Sequence, residues 1–201
     1  RLGLPPWIPR WSPGHVTVMA AKAPESSPLL TALSPMLAEQ VSRPFDDPGW
    51  THEVKYDGYR MLAQVDAGRV TLQTRNGSNA TTWFPELLTV LADLPGGRHV
   101  LDGEVCVLDD YGRSDFDRLH ARAKRRGFPA GADPVVFCAF DLLVHQGLDV
   151  RALPLKTRKR RLAQLLRRQR PSVLLVDGIA ERGTWLFIQA LELKLEGIVS
   201  K

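Results

Sequence analysis

The chain alternates between stretches with the two-residue period of strands and stretches with the wider period of helices. Short apolar or alternating runs are bounded by turn residues, among them Asp57-Gly58 and Ala67-Gly68, and this pattern predicts antiparallel strands. The predicted strands cover residues 50–60, 61–66, 69–74, 99–109, 134–144 and 172–176.

Four further stretches place apolar residues at helical spacing. The first predicted helix begins at Thr81 or Thr82 and ends at the Pro-Gly-Gly turn of 95–97. The last takes Thr184 as its N-cap and ends at Gly197. Between them we predict a polar helix over 115–126 and a basic helix with an apolar stripe of Leu162, Leu165 and Leu166.

Hairpins that alternate with helices predict the α+β fold class with antiparallel sheets, rather than a doubly wound parallel fold. Residues 1–28 contain six prolines, which prevent regular structure and predict a tail or linker. The remaining residues, 29–201, have the length of one domain. Since the chain begins with Arg1 rather than Met, we expect a piece of a longer protein or a processed product.

The chain has 201 residues and a net charge of +5, a modest excess that suits a partner with a phosphate backbone. Basic residues cluster at 122–126, 156–161 and 167–170, where a solvated helix face is the alternative interpretation. No apolar run approaches the roughly 20 residues of a membrane helix, and no signal peptide is recognisable. We therefore expect a cytoplasmic protein with no membrane partner.

Two cysteines, Cys106 and Cys138, fall in apolar strand-like runs. Two cysteines neither build a disulfide framework nor suffice for a zinc site. We therefore expect two buried free thiols and no zinc.

The segment 53–60 contains a lysine and two carboxylates that are candidates for catalysis. On a strand, Glu53, Lys55 and Asp57 share one face, which places an amine beside two carboxylates. A lysine amine attacks an electrophile only when it is unprotonated, and nearby cations or desolvation favour that state. The alternative is a simple hairpin at Asp57-Gly58 with solvated charges on one strand face.

Lys55-Tyr56-Asp57-Gly58-Tyr59-Arg60 has the K-x-D-G-x-R pattern of covalent nucleotidyltransferases, and four more blocks follow it in order. From about Leu33 to the last residue the chain resembles the adenylation domain of ATP-dependent DNA ligases, of the bacterial type found alone or within multidomain end-joining ligases. The later blocks are Thr74-Arg75-Asn76-Gly77, Leu101-Asp102-Gly103-Glu104, Phe140-Asp141-Leu142-Leu143 and Glu196-Gly197-Ile198-Val199-Ser200-Lys201.

The resemblance implies an ATP-grasp-like catalytic domain, in which two antiparallel sheets flanked by helices enclose a nucleotide groove. It also implies that Lys55, oriented by Asp57, attacks the α-phosphate of ATP and forms lysyl-AMP. The AMP then passes to the 5′-phosphate of nicked double-stranded DNA, and the nick is sealed. Mg²⁺ or Mn²⁺ and a monomeric protein are part of this expectation.

The resemblance also assigns roles to the other matched residues. Carboxylates at Glu104 and Glu196 are expected at the metal, with Glu104 also near the ribose. Phe140 is expected to stack on adenine, and the spacing favours it over Phe137. The remaining nucleotide-binding predictions are Glu53 near the adenine, and Arg60, Arg75 and Lys201 near phosphates.

Three alternatives remain open at this level. A GTP-using messenger-RNA capping enzyme shares the first block, an RNA ligase shares the adenylation step, and a catalytically silent DNA-binding module needs neither. The family also carries a Lys-x-Lys strand and an OB-fold domain after the block that ends at Lys201. We therefore expect residues 1–201 alone to bind ATP weakly, to label themselves slowly or not at all, and not to seal nicks.

Overall fold

The computed structural model describes residues 33–201, so the predicted tail at 1–28 lies outside the described part. Two sheets and four helices make up this part, as the α+β prediction requires. Its elements, in chain order, are β1 (Thr51–Lys55), β2 (Tyr59–Asp66), β3 (Arg69–Thr74), α1 (Pro85–Ala92), β4 (His99–Cys106), α2 (Phe116–Arg125), β5 (Val136–His145), β6 (Leu148–Asp149), α3 (Leu155–Leu165), β7 (Val173–Leu175), β8 (Gly178–Ala180), α4 (Gly183–Glu192) and β9 (Gly197–Ser200).

The smaller sheet has three antiparallel strands in the order β8-β1-β9, and α4 packs on it. The larger sheet has the order β3-β2-β4-β5-β6, with β7 added beside β5. All its pairs are antiparallel except β5 and β7, which run parallel, so the prediction of purely antiparallel sheets misses this one pair.

The main core lies between the larger sheet and helices α1, α2 and α3. Each helix contributes the apolar residues that recur at helical spacing, so burial of one face explains why these stretches form helices. The helical contributions are Leu87 and Leu91, Leu119 and Ala123, and Leu162 and Leu165. Cys106 and Cys138 are buried free thiols, as predicted.

The predicted continuous strand over 50–60, with a hairpin turn at Asp57-Gly58, is wrong. β1 ends at Lys55 and belongs to the smaller sheet, whereas β2 starts at Tyr59 in the larger sheet. A Cβ on Gly58 would lie 2.2 Å from the Val105 carbonyl oxygen, so only glycine fits this crossing. The segment 56–58 therefore links the two sheets.

Helix α4 also begins and ends differently from the prediction. Its N-cap is Arg182, not Thr184, and the Thr184 N–H donates to Asp46 Oδ1 at 2.8 Å. Hydrogen bonds from the backbone and side chain of Thr184 lower the pKa of the Asp46 carboxyl. The helix ends at Glu192 with Leu193 as its C-cap, so Gly197 begins β9 instead of ending the helix.

Other boundaries shift by a few residues. α1 begins at Pro85 rather than at Thr81 or Thr82, because proline is favoured in the first turn of a helix. β4 ends at Cys106, before the predicted end at residue 109. Within residues 33–201, no helix is long and apolar enough to cross a membrane.

Candidate active site

Lys55 is the last residue of β1, and its side chain is 45% exposed. The pairing of β1 with β9 places it opposite Gly197, so Glu196 reaches it from the junction between α4 and β9. The Lys55 ammonium forms an ion pair with Glu196. Asp57 lies in the link between the sheets, where its N–H donates to Ser114 Oγ at 3.1 Å. The structure thus pairs the amine with Glu196 rather than with Asp57.

Glu53 precedes Lys55 by two residues on β1, and its side chain is only 2% exposed. Two lysines neutralise it from different elements. Lys201 Nζ lies 2.8 Å from Glu53 Oε2, and Lys159 Nζ, from α3, lies 2.7 Å from Oε1. Lys201 therefore lies between Glu53 of the smaller sheet and Phe140 of the larger sheet, and we call the space between these two sheets the groove. The sequence-based expectation placed Lys201 near phosphates.

Phe140 and Phe137 occupy different environments on β5. Phe137 is fully buried in the main core, and Phe140 is only partly buried, on the side facing the groove. Lys201 Nζ lies 4.3 Å from the centroid of the Phe140 ring, and the Arg60 guanidinium carbon lies 5.3 Å from it. Phe140 thus presents a ring face to cationic groups in the groove, as an aromatic that stacks on a base must do.

Arg60 is fixed by a two-point pair with Asp102. Its Nε and Nη2 donate to the two Asp102 oxygens at 3.0 and 2.8 Å, and Nη1 donates to the Met36 carbonyl at 2.7 Å. Burial raises the pKa of Asp102, and the bonds from Arg60 oppose that rise. Asp102 lies within the Leu-Asp-Gly-Glu block, but nothing in that block shows which side chain it orients, so its role could not be predicted from sequence.

Glu104 lies opposite Arg60 in the β2–β4 register, and its carboxyl is close enough to Arg60 and Lys55 to interact with their charges. Burial raises its pKa to about 8, an effect that the charges of Arg60 and Lys55 partly offset. The charge of Glu196 raises the pKa of Glu104 further, so the two carboxyls interact. Arg75 is exposed, and its backbone N–H bonds to the Arg60 carbonyl at 3.1 Å.

Two basic residues of helix α3, both from the cluster at 156–161, form ion pairs with residues that line the groove. Arg158 donates through Nε and Nη2 to both Asp141 oxygens, each at 2.9 Å. The next residue, Lys159, forms an ion pair with Glu53, and this pair was not predicted from sequence. The only signal was a charge run, which is equally typical of a solvated helix face.

An accessible lysine, flanking carboxylates and an aromatic face from the two sheets thus lie close together, which is the arrangement expected of a covalent nucleotidyltransferase domain. A family model described as "ATP dependent DNA ligase domain" matches residues 35–201. The chain belongs to this family of DNA ligase domains.

Named relatives agree with this assignment. The chain is 36% identical over 182 residues to the "Multifunctional non-homologous end joining protein LigD" of Pseudomonas aeruginosa, covering 90% of this chain and 21% of that protein. It is also 36% identical over 169 residues to the "SPbeta prophage-derived DNA ligase-like protein LigB" of Bacillus subtilis, covering 84% of this chain and 60% of the relative. The chain thus spans between about a fifth and three fifths of these relatives.

A solved structure described as "mycobacterial DNA ligase D complexed with ATP and MES" is similar to the chain, with a TM-score of 0.72 and 30% identity. The match covers 86% of this chain and 55% of that one. The ligase domain of LigD from Mycobacterium tuberculosis is also similar, with a TM-score of 0.61, 30% identity, and coverage of 76% of this chain and 48% of that one. These matches confirm the predicted fold class and family.

Proposed function

We propose that the chain binds ATP in the groove between its sheets and that Lys55 becomes covalently linked to AMP. The observation that supports this most directly is the position of Lys55, exposed at the end of β1 and in contact with Glu196. Attack by the Lys55 nitrogen on the α-phosphorus forms the N–P bond as the bond to pyrophosphate breaks. Glu196 contacts the ammonium and is therefore placed to take the proton that the nitrogen loses.

The base would bind at the other end of the groove. Phe140 offers a ring face, and Glu53 offers a buried carboxylate that accepts hydrogen bonds but cannot donate them. Adenine presents an exocyclic amine, which suits such an acceptor, whereas guanine presents a carbonyl at the corresponding position. This pairing supports ATP over GTP and so favours a ligase over a capping enzyme. Lys201, which contacts both groups, would move aside when the base binds.

Phosphates would lie between the base and Lys55. Arg60 is oriented by Asp102 and keeps N–H donors beyond those that bind Asp102 and Met36, and Arg75 is exposed beside it, so both can donate to phosphate oxygens. Phosphoryl transfer depends mainly on such positioning and charge neutralisation. We assign Arg60 to the nucleotide and Arg75 to the nucleotide or the DNA 5′-phosphate.

The residues present fit a divalent cation. Residues 33–201 contain no cluster of three or more His, Cys, Asp or Glu side chains that could hold a metal alone. Mg²⁺, however, is commonly held by one or two carboxylates together with water and substrate phosphates. Glu104 and Glu196 are close enough to affect each other, and they are the carboxylates that would hold it. When bound, Mg²⁺ or Mn²⁺ would neutralise charge on the triphosphate.

The wider reaction is supported by two named relatives, a DNA end-joining protein and a ligase-like protein. We propose that AMP passes from Lys55 to the 5′-phosphate of nicked double-stranded DNA and that the nick is then sealed during DNA repair. The cytoplasmic location and the monomeric state stay predictions.

The nucleotide preference tests this proposal against its alternatives. The full-length gene product would be incubated with Mg²⁺ and either α-labelled ATP or α-labelled GTP, and then run on a denaturing gel. The proposal predicts a labelled protein band with ATP and none with GTP. A band with GTP alone would identify a capping enzyme, and the absence of any band would support a silent DNA-binding module.

A further inference from the structure

Lys159 is a buried cation that the proposed chemistry does not use directly. Its side chain is 12% exposed, and it extends from α3 to the 2% exposed Glu53. Its ammonium donates a hydrogen bond to the Val176 carbonyl at 2.6 Å and forms an ion pair with Glu53 Oε1 at 2.7 Å. The Glu53 Oε1 atom is buried, and within residues 33–201 Lys159 is the cation paired with it.

The other cation at Glu53, Lys201, donates a hydrogen bond to Glu53 Oε2 at 2.8 Å but lies against the ring on which the base would stack. Lys201 Nζ lies 4.3 Å from the centroid of Phe140, over its ring face. A base stacked on that face needs the space that the Lys201 ammonium fills. Lys159, in contrast, is held by its hydrogen bond to the Val176 carbonyl, and the neighbouring Arg158–Asp141 pair fixes the same helix turn. Lys159 can therefore stay in place when a base binds.

We infer that Lys159 is a positioning residue for base recognition, which keeps Glu53 as a buried, ionised acceptor when Lys201 moves to admit the nucleotide. This inference rests on the proposed function. A buried carboxylate without a cation is costly and takes up a proton, which converts one of its oxygens into a donor. Lys159 thereby maintains the preference of Glu53 for a base edge that carries an amine over one that carries a carbonyl.

The contact between helix and strand also explains why a cation is needed from α3. Burial lowers the pKa of Lys159, and the charge of Glu53 opposes that change. The charge of Glu53 therefore favours the ammonium form of Lys159. Arg158 adds a rigid attachment of the same helix turn to β5, because its guanidinium binds both oxygens of Asp141.

The test measures equilibrium ATP and GTP binding to the full-length gene product without divalent cation, so that no AMP is transferred. The wild type is compared with Lys159→Met, Lys159→Arg, Glu53→Gln and the double variant Glu53→Gln/Lys159→Met. Lys159→Met is expected to weaken ATP binding about tenfold or more, the scale of one charged hydrogen bond, and to reduce the ratio of ATP to GTP affinity. Lys159→Arg restores the cation and is expected to recover most of the loss. Lys156→Met, an exposed lysine on the same helix, is the matched control and should leave ATP affinity unchanged.

The double variant separates positioning from a general effect on folding. If Lys159 acts through Glu53, adding Lys159→Met to Glu53→Gln changes ATP affinity little, whereas independent effects would multiply. Melting temperatures of all variants identify any loss of affinity that comes from unfolding. Equal ATP affinity of Lys159→Met and Lys156→Met would overturn the inference alone. No measurable binding of ATP to the wild type would contradict the proposed function itself, and the inference with it.

Discussion

Glu104 is a carboxyl whose protonation changes with folding. Its pKa in the folded protein is about 8, because burial disfavours the charged form, against an ordinary value of 4.5. Between these pH values the folded protein retains a proton that the unfolded chain releases. The stabilising contribution of the protonated carboxyl is therefore complete below about pH 4.5 and is lost as the pH rises through about 8.

Glu104→Gln removes this titration and should flatten the dependence of stability on pH. Urea unfolding in metal-free buffer, from about pH 5 to about pH 8, measures the free energy of unfolding of both proteins. The variant is expected to gain stability relative to the wild type toward the alkaline end, on the order of a few kcal/mol. Glu192→Gln, at an exposed position, is the control. Parallel curves for wild type and Glu104→Gln would show that Glu104 is not protonated in the fold.

The two aromatic residues of β5 should respond differently to truncation. Phe140→Ala is expected to weaken ATP binding by about 1–3 kcal/mol, the scale of stacking between a base and an aromatic side chain. Phe137→Ala opens a cavity in the main core and is expected to lower the free energy of unfolding by about 3–5 kcal/mol. Calorimetric ATP binding and thermal melting of both variants check this. A large stability loss with unchanged ATP affinity at Phe140 would make it a core residue.

Phe140 and Lys159 show which site residues can be predicted from sequence alone and which cannot. The spacing within the Phe-Asp-Leu-Leu block distinguished Phe140 from Phe137, because a motif fixes positions along one strand. Lys159 could not be found in this way. Its partner, Glu53, lies on a different element, and a lysine that turns inward has the same sequence pattern as its solvated neighbours.

At the scale of elements, the link between β1 and β2 decides the geometry of the site. Because β1 and β2 lie in different sheets, Lys55 and Arg60 face the groove from its two sides although only four residues separate them. Asp-Gly between apolar runs normally marks a hairpin, and this local signal led to the wrong prediction. Pairing of β1 with β8 and β9, which lie more than a hundred residues later, overrides it.

Gly58→Ala tests the importance of this link. The new Cβ would lie 2.2 Å from the Val105 carbonyl oxygen, and backbone atoms cannot yield as a flexible side chain does. We expect a loss of about 1–3 kcal/mol in the free energy of unfolding, as for other overpacked sites. At Gly97, which also lacks a positive φ, the nearest atom to a new Cβ lies at 3.7 Å, so Gly97→Ala is the matched control. Equal stability of the two variants in urea unfolding would show that the link tolerates a side chain.

Element ends were harder to predict than element types. All four helices and the long strands were found from their periodicity, because each buries one apolar face. The short strands β6, β8 and β9 were missed, since two to four residues are too few to show a period. The start of α4 depends on Asp46, a cap supplied from 138 residues earlier in the chain, and no local signal announces it.

At the scale of the whole molecule, some of the basic residues behind the net charge of +5 have side chains that turn inward and pair with carboxylates. Arg122 is buried and donates to both oxygens of Glu86, and Arg158 and Lys159 turn toward the groove. The two interpretations of the basic clusters, DNA contact or solvated face, were therefore incomplete. Lys124 and Arg125 of α2 remain exposed and available to phosphates.

Binding of the chain to nicked DNA should weaken steeply with salt, because each neutralised phosphate releases counterions. Replacing Lys124 and Arg125 by Gln should make the plot of log affinity against log salt shallower by about 1 for each lost phosphate contact. Fluorescence anisotropy with labelled DNA over a range of salt concentrations measures the slope. An identical slope for the double variant would place the DNA surface elsewhere.

The most direct test of the account is the site of AMP attachment. The full-length gene product, incubated with Mg²⁺ and α-labelled ATP, should acquire an acid-labile label, and peptide mapping should locate AMP on Lys55. Lys55→Ala and Lys55→Arg should both lose the label while retaining the melting temperature, because alanine has no amine and arginine does not lose its proton at usable pH. Label that persists in either variant, or that maps to another residue, would contradict Lys55 as the nucleophile.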